Sequence, residues 1–167
     1  MHQLAVTAEK EAKKFYHGFV SCTESNLHEI VAPFPKWTLR EADRVWCAAF
    51  VYYCCQKSGM SFPIRPKECA SCNLAGCIAW EEWAEKDKNL CYFKESSAVS
   101  PRIGDIVLFD RVFDNTEHDH IGIVLEVSAE YIVTAEGNFN NISAVVARKR
   151  DEHIRGYIRI PEKYQYR

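Results

Sequence analysis

Cys47 is the residue best placed in this sequence to act as a nucleophile. It heads an apolar segment, Cys47–Gly59, which predicts a buried helix that ends at a glycine. The free N–H groups and the helix dipole at such a start favour an anion, and a thiolate is the form that attacks an amide. The N–H of Cys47 could then bind the oxyanion that forms. Free cysteines are also commonly buried, so Cys47 alone does not define a site.

A β-hairpin is predicted in the C-terminal part of the chain. The segments His120–Val127 and Tyr131–Asn138 have the composition of strands and flank a three-residue loop, Ser128–Glu130. We expect Val127 to pair with Tyr131 across this loop. The register of the whole hairpin follows from that pair.

This register predicts that His120 has polar neighbours. It places His120 opposite Asn138, and Glu136 opposite Gly122, whose missing side chain leaves room beside the imidazole. An imidazole whose tautomer is fixed by polar neighbours can act as a general base. A surface histidine among solvated polar residues is the alternative interpretation.

The elements that would position these residues change character along the chain. Residues 1 to about 90 predict helices and residues from about 100 onward predict strands, which is an α+β arrangement. We expect a helix capped by Thr7 and running to Phe19, and another over Gly76–Asp87. The inner surface of the second helix is predicted as Ile78, Trp80, Trp83 and Ala84.

Three further strands complete the predicted antiparallel sheet. Gly104–Asp110 is apolar on both faces and should be central. Ala144–Arg150 and Ile154–Ile160 follow the hairpin. In the last strand, alternation predicts three isoleucines facing inward (Ile154, Ile158 and Ile160) and three residues facing outward (Arg155, Tyr157 and Arg159).

Four short segments occur in an order that resembles one known family. These segments are Trp46–Val51, Gly104–Phe109, His120–Val124 and Glu136–Asn138. Together they resemble the CHAP family (cysteine, histidine-dependent amidohydrolase/peptidase) within the NlpC/P60-like superfamily. The likeness extends from about residue 37 to about residue 161. We therefore expect a catalytic domain at 37–167 and an N-terminal helical extension at 1–36 packed on it.

The resemblance implies a fold and a set of roles. It implies a papain-like fold, with N-terminal helices packed on a C-terminal antiparallel sheet, and cleavage of amide bonds. Cys47 would be the nucleophile, His120 the general base and then acid, and Glu136 and Asn138 the groups that orient the imidazole. Trp46 stands where relatives often carry glutamine, and it is expected either to wall a substrate pocket or to pack in the core.

We expect no cofactor and no metal. Some members of the family hold calcium through an acidic run before the nucleophile, but Leu39–Val45 keeps only two carboxylates. Zinc could be held by four cysteines, although their spacing departs from paired C-x-x-C motifs: Cys69, Cys72, Cys77 and Cys91. His118 and His120 with Glu126 or Glu136 could hold a metal in a cupin-like barrel, but that leaves Cys47 unexplained.

Composition bounds the remaining expectations. The net charge of −2 over 167 residues gives no reason to expect nucleic acid as a partner. The longest apolar run, Trp46–Cys55, is half of a membrane span. The N-terminal residues lack a hydrophobic signal core, so we expect a cytoplasmic protein or one that reaches the cell wall by another route, with its eight cysteines mostly as free thiols.

Three functions are consistent with these observations. The first is a peptidoglycan amidase or endopeptidase that acts through an acyl-enzyme. The second is a cytosolic amidase acting on a small peptide conjugate. The third is a non-catalytic metal-binding or interaction module that keeps the fold.

Overall fold

The computed structural model describes residues 2–167, which form helices packed on a six-stranded antiparallel sheet. The helices are α1 (Gln3–Ala12), α2 (His28–Val31), α3 (Leu39–Ala42), α4 (Cys47–Lys57) and α5 (Cys77–Lys86). The strands are β1 (Cys91–Phe93), β2 (Ile106–Phe109), β3 (His120–Val127), β4 (Tyr131–Phe139), β5 (Ile142–Lys149) and β6 (Ile154–Arg159). They are ordered β1-β6-β2-β3-β4-β5. The predicted α+β class is confirmed. Within residues 2–167, no helix has the length and apolar character that crossing a membrane requires.

Helix α4 is the centre of the core. Every residue from Cys47 to Cys55 is buried, and the helix lies against β3 and β4. Such complete burial explains why its sequence is apolar on almost every side. Gly137 of β4 allows the close approach, because a Cβ there would lie 2.4 Å from the Cβ of Phe50. The strand that carries Glu136 and the helix that begins at Cys47 are thus held together by direct packing.

The register of the β3–β4 hairpin agrees with prediction near the expected site but not at its turn. Val127 pairs with Ile132, one residue beyond the expected partner, and a bulge between Val124 and Glu126 then shifts the register back. Ile123 therefore pairs with Ala135 as the predicted register requires. Beyond that pair, a Cβ on Gly122 would meet the Cγ of Glu136 at 3.0 Å.

The N-terminal segment differs from its prediction. Helix α1 covers Gln3–Ala12 with Thr7 inside it, and residue Phe15 has a φ of 56°, so no helix reaches Phe19. The following residues instead join the edge of the sheet. Tyr16 N–H donates to the Ser143 hydroxyl at 2.9 Å, and the Ser143 N–H donates to the Tyr16 carbonyl at 2.7 Å. These long-range hydrogen bonds outweigh a local helix preference of a few tenths of a kcal/mol per residue.

The helix expected over Gly76–Asp87 is present as α5, with one change to its inner surface. Trp80, Trp83 and Ala84 are buried as predicted, whereas Ile78 is 38% exposed. Cys77 is buried at the start of the helix. The inner surface is therefore rotated toward Cys77.

Strand β6 differs from simple alternation. Tyr157 was expected to face outward but is fully buried, and it stacks on Phe93 in a second apolar cluster. Pairing with β2 skips Arg155, so Ile154 joins this second cluster while Ile158 stays in the main core. Both faces of the sheet centre are thus covered, and the outward face is not solvated there.

Candidate active site

Cys47 is the first residue of α4, as predicted. Its side chain lies in a cleft of about 530 Å³ between the start of α4, the start of α5 and the loop before β3. Only 6% of the residue is exposed. The thiol therefore lies at a helix N-terminus, on a cleft wall and largely out of bulk water.

The imidazole of His120 is fully buried between Glu136 and Cys47. Nε2 of His120 lies 2.6 Å from Oε2 of Glu136, so the carboxylate orients the ring. Among the described residues, Nδ1 has no hydrogen-bond partner of good geometry. Cys47 is nevertheless close enough to interact with the ring and raise its pKa. A loose contact of this kind is common in sites without substrate.

Glu136 is a fully buried carboxylate that accepts several hydrogen bonds. Besides His120, Thr134 donates its hydroxyl to Oε1 at 2.6 Å, and Arg148 donates Nε and Nη2 at 2.8 and 2.7 Å. Burial alone would raise the pKa of Glu136, but His120 and Arg148 lower it to about 2. The carboxylate therefore stays ionised beside the imidazole.

The pKa values of the Cys47 thiol and the His120 imidazole are both shifted in the direction that favours their charged forms. Burial would lower the pKa of His120, but Glu136 and Cys47 offset this and raise it to about 9. The Cys77 thiol lowers the pKa of Cys47 most, and the nearby His120 ring adds to this against burial, so that the pKa of Cys47 falls to about 5. Between these values, a Cys47 thiolate faces a His120 imidazolium.

Cys77 is the nearest thiol to Cys47, and sequence reasoning did not connect them. The two Sγ atoms are 3.7 Å apart. Burial and the Cys47 thiolate raise the pKa of Cys77 well above its usual value, so Cys77 keeps its proton and can donate it to Cys47. The two residues are 30 positions apart, and only the packing of α5 brings them together.

Asn138 lies in the cleft but does not hold the imidazole. Its Nδ2 donates to the carbonyl of Arg44 at 2.8 Å, and its φ is 57°. The predicted placement opposite His120 is therefore wrong, because the pairing of β4 with β3 ends at Ala135 and the positive φ takes Asn138 out of a regular strand conformation. Asn138 instead ties the end of β4 to the loop before the nucleophile.

Asn141 holds the same loop and was missed by the sequence analysis. Its Oδ1 accepts from the indole N–H of Trp46 at 2.9 Å and from the N–H of Arg44 at 3.2 Å, while its Nδ2 donates to Asp43 at 2.8 Å. The Asn138-Phe-Asn-Asn141 run was a usable signal, because asparagine is favoured at the positive φ values of turns. The sequence does not indicate the partners of Asn141, which lie nearly a hundred residues earlier in the chain.

Trp46 belongs to the core and not to the cleft wall. It is fully buried against Phe50, and its indole N–H is occupied by Asn141. The prediction that it forms a substrate pocket is therefore wrong. The cleft is lined beside Cys47 by Arg44, Val45, Cys77 and Asn138.

The acidic residues before Cys47 accept hydrogen bonds from other residues of the chain. Glu41 caps α3 by accepting from the N–H and hydroxyl of Thr38. Asp43 accepts from the N–H of Phe19 at 2.9 Å and from Asn141. Both carboxylates therefore hold the loop that presents the nucleophile.

The two metal interpretations do not fit the geometry. Within residues 2–167, no three His, Cys, Asp or Glu side chains are grouped as metal ligands. His118 lies before β3 with a φ of 54°, so it does not share a strand face with His120. Its Nε2 points to Oε2 of Glu81 at 3.2 Å, without hydrogen-bond geometry, while His120 contacts Glu136. All eight cysteines are free thiols.

Cys47 is expected to be the thiol alkylated fastest at low pH. At pH 6 an ordinary thiol with a pKa of about 8.5 is less than about 1% ionised, whereas Cys47 with a pKa of about 5 is mostly thiolate. Limiting iodoacetamide followed by peptide mapping should place the first adduct on Cys47. The exposed Cys22 and Cys91 are internal controls for access of the reagent. A first adduct on Cys54 or Cys69, with Cys47 spared, would contradict the assignment of the nucleophile.

His118→Ala is expected to change hydrolytic turnover by less than about tenfold. The residue lines the cleft with its Nε2 facing Glu81, so its removal leaves the thiol, imidazole and carboxylate in place. Turnover of the variant and metal content of the wild type are the measurements. A loss as large as that of His120→Ala, together with bound metal, would restore the metal interpretation.

The fold and this side-chain arrangement define the class of the domain. Helices pack on an antiparallel sheet, with a cysteine at a helix start facing a histidine and carboxylate on neighbouring strands, which is a papain-like α+β domain. The family model of the CHAP domain matches residues 40–138, more than half of the chain. The protein belongs to the CHAP domain family, a membership that suggests cysteine- and histidine-dependent amidohydrolase or peptidase activity.

No curated protein matches the sequence. Among solved structures, the chain is similar to "The crystal structure of Ly7917" with 14% identity and a TM-score of 0.44, over 70% of this chain. It spans 53% of that protein's chain.

Proposed function

We propose that this protein hydrolyses amide bonds through a cysteine acyl-enzyme and that its substrate is peptidoglycan. The observation that carries the proposal is the line of three groups that runs from the cleft wall into the core: Cys47, His120 and Glu136. The first has a lowered pKa, the second a raised pKa, and the third is ionised and bonded to the second. These are the charge states that nucleophilic attack by a thiolate requires.

Each group has a defined task in the proposed reaction. The Cys47 thiolate attacks the carbonyl carbon, and the N–H of Cys47 at the start of α4 donates to the oxyanion. His120 gives its Nδ1 proton to the leaving amine and then removes a proton from the water that attacks the thioester. Glu136 accepts from Nε2 throughout and keeps the ring in this orientation. Asn138 acts as a positioning residue through the Arg44 carbonyl.

The choice of peptidoglycan rests on family membership and on the form of the cleft. Members of the CHAP family usually cut stem peptides or their attachment to sugar. The cleft is open and bears amide and guanidinium groups beside the thiol, supplied by Asn138, Asn140 and Arg44. Such groups can bind the carbonyls and carboxylates of an extended peptide.

Digestion of purified peptidoglycan tests the proposal. Wild-type protein should release soluble fragments, and Cys47→Ala protein of equal folded content should not. Mass analysis of the fragments then separates an amidase, which frees whole stem peptides from the glycan, from an endopeptidase, which shortens or separates the stems. Intact peptidoglycan together with hydrolysis of a glutathione–amine conjugate would replace the proposed substrate by a small peptide conjugate. Hydrolysis of neither substrate by a protein with a reactive Cys47 would reject both.

A further inference from the structure

Two thiols from the starts of two different helices meet in the cleft. Cys47 begins α4 and Cys77 begins α5, and their Sγ atoms are separated by 3.7 Å. A disulfide bond is about 2.05 Å long, so bonding requires an approach of less than about 2 Å, within reach of side-chain rotation. Both residues line the cleft, and they are 6% and 8% exposed. The cleft therefore gives a molecule as small as a peroxide access to both thiols.

We propose that Cys77 is a resolving cysteine that captures the oxidised form of Cys47 as a reversible intramolecular disulfide when the protein meets a peroxide. This proposal goes beyond hydrolysis, since it needs no amide substrate. It depends on the contact between the two thiols and on the cleft that admits the oxidant.

The chemistry proceeds in two balanced steps. The Cys47 thiolate attacks one oxygen of hydrogen peroxide, the O–O bond breaks, and the products are a Cys47 sulfenic acid and hydroxide. Cys77 then attacks the sulfur of the sulfenic acid, the S–O bond breaks, and the Cys77 proton leaves with the hydroxyl group as water. Two thiols and one peroxide give one disulfide and two waters. Reduction by an external dithiol restores both thiols.

The charges around Cys77 suit this order of events. The Cys47 thiolate is one of the groups that keep the Cys77 thiol protonated, so Cys77 does not compete for the oxidant. The sulfenic acid is neutral, and its formation removes that negative charge from beside Cys77. Cys77 therefore becomes easier to deprotonate only after its partner has been oxidised.

Mass analysis of the native protein after limited hydrogen peroxide tests the proposal. The wild type should lose two hydrogens, and a non-reducing peptide map should show a Cys47–Cys77 cross-link that dithiothreitol removes. Cys77→Ser should form no such cross-link, and its Cys47 should be trapped by dimedone and then pass to sulfinic acid, which dithiothreitol does not reverse. Cys72→Ser is the matched control, because Cys72 also lies near the start of α5 and its loss should leave the cross-link intact.

Two outcomes would overturn the proposal. The first is sulfinic acid on Cys47 of the wild type while Cys77 remains a free thiol. The second is a cross-link that joins Cys77 to Cys72 instead of Cys47. Neither readout uses hydrolysis, so a protein that forms the disulfide but leaves peptidoglycan intact would reject the proposed function alone. A protein that cuts peptidoglycan but fails to form the disulfide would reject only the role of Cys77.

Discussion

Cys47→Ala is expected to lower turnover by about 10⁴ or more, toward the level that binding and oxyanion stabilisation alone provide. Alanine removes the sulfur but keeps the start of α4, so the fold and the oxyanion donor remain. Cys47→Ser tests whether the reaction requires an ionised sulfur rather than any hydroxyl or thiol at this position. Its hydroxyl has nearly the same size as the thiol but does not ionise near neutral pH, so we expect a comparable loss.

The measurement is turnover of peptidoglycan fragments, with thermal unfolding recorded for each variant. Cys54→Ala is the matched control, because Cys54 is a fully buried thiol of the same helix with no contact to the cleft. It should change the free energy of unfolding by about 1 kcal/mol and leave turnover nearly unchanged. A folded Cys47→Ala protein with full activity would remove the cysteine mechanism altogether.

His120→Ala is expected to lose about as much turnover as Cys47→Ala. Without the imidazole, Cys47 loses a group that lowers its pKa, and the leaving amine has no proton donor. Because the two residues act as one unit, the double variant should be little worse than either single variant. Additive losses would show that thiol and imidazole act independently.

The sequence predicted the two central elements of the site because their signals are local. An apolar run closed by Gly59 specifies α4 and places Cys47 at its start. Strand-like composition on either side of a three-residue loop specifies β3 and β4, and with them the proximity of Gly122 and Glu136. The register predicted at the turn was wrong by one residue. The bulge near Leu125 shifts the register back, so the predicted proximity of Gly122 and Glu136 is still correct. A bulge of this kind leaves no clear trace in a single sequence.

The contacts that the sequence did not reveal join residues far apart in the chain. Asn141 binds the loop at Arg44 and Trp46, and Cys77 meets Cys47 through the packing of α5. Asn138 was assigned to the wrong partner because regular pairing with β3 was extended past Ala135, where it ends. Such contacts depend on tertiary packing, which hydrophobic periodicity does not encode.

Glu136→Gln is expected to lower turnover by about 10²–10³ and to reduce the free energy of unfolding by about 3–5 kcal/mol. Glutamine keeps the volume of the side chain but brings an NH₂ group into a site where His120, Thr134 and Arg148 all donate. At least one donor then lacks an acceptor, and Arg148 loses the negative charge that pairs with it. The imidazole is left without a fixed orientation, so turnover falls although the nucleophile remains.

Acid titration distinguishes this charge effect from a packing defect. The pKa of Glu136 is lowered from 4.5 to about 2, so its contribution to stability is present above pH 4.5 and is lost as the pH falls toward 2. Urea unfolding at several pH values in this range should show a smaller loss in Glu136→Gln than in the wild type, because other carboxylates with lowered pKa values contribute to both proteins. Thr134→Val is the matched control: it removes one hydrogen bond to the carboxylate, keeps the charge, and should cost about 1–2 kcal/mol with the acid dependence retained. If Glu136→Gln kept wild-type turnover, another group would have to orient the imidazole, and Glu136 would no longer belong to the catalytic set.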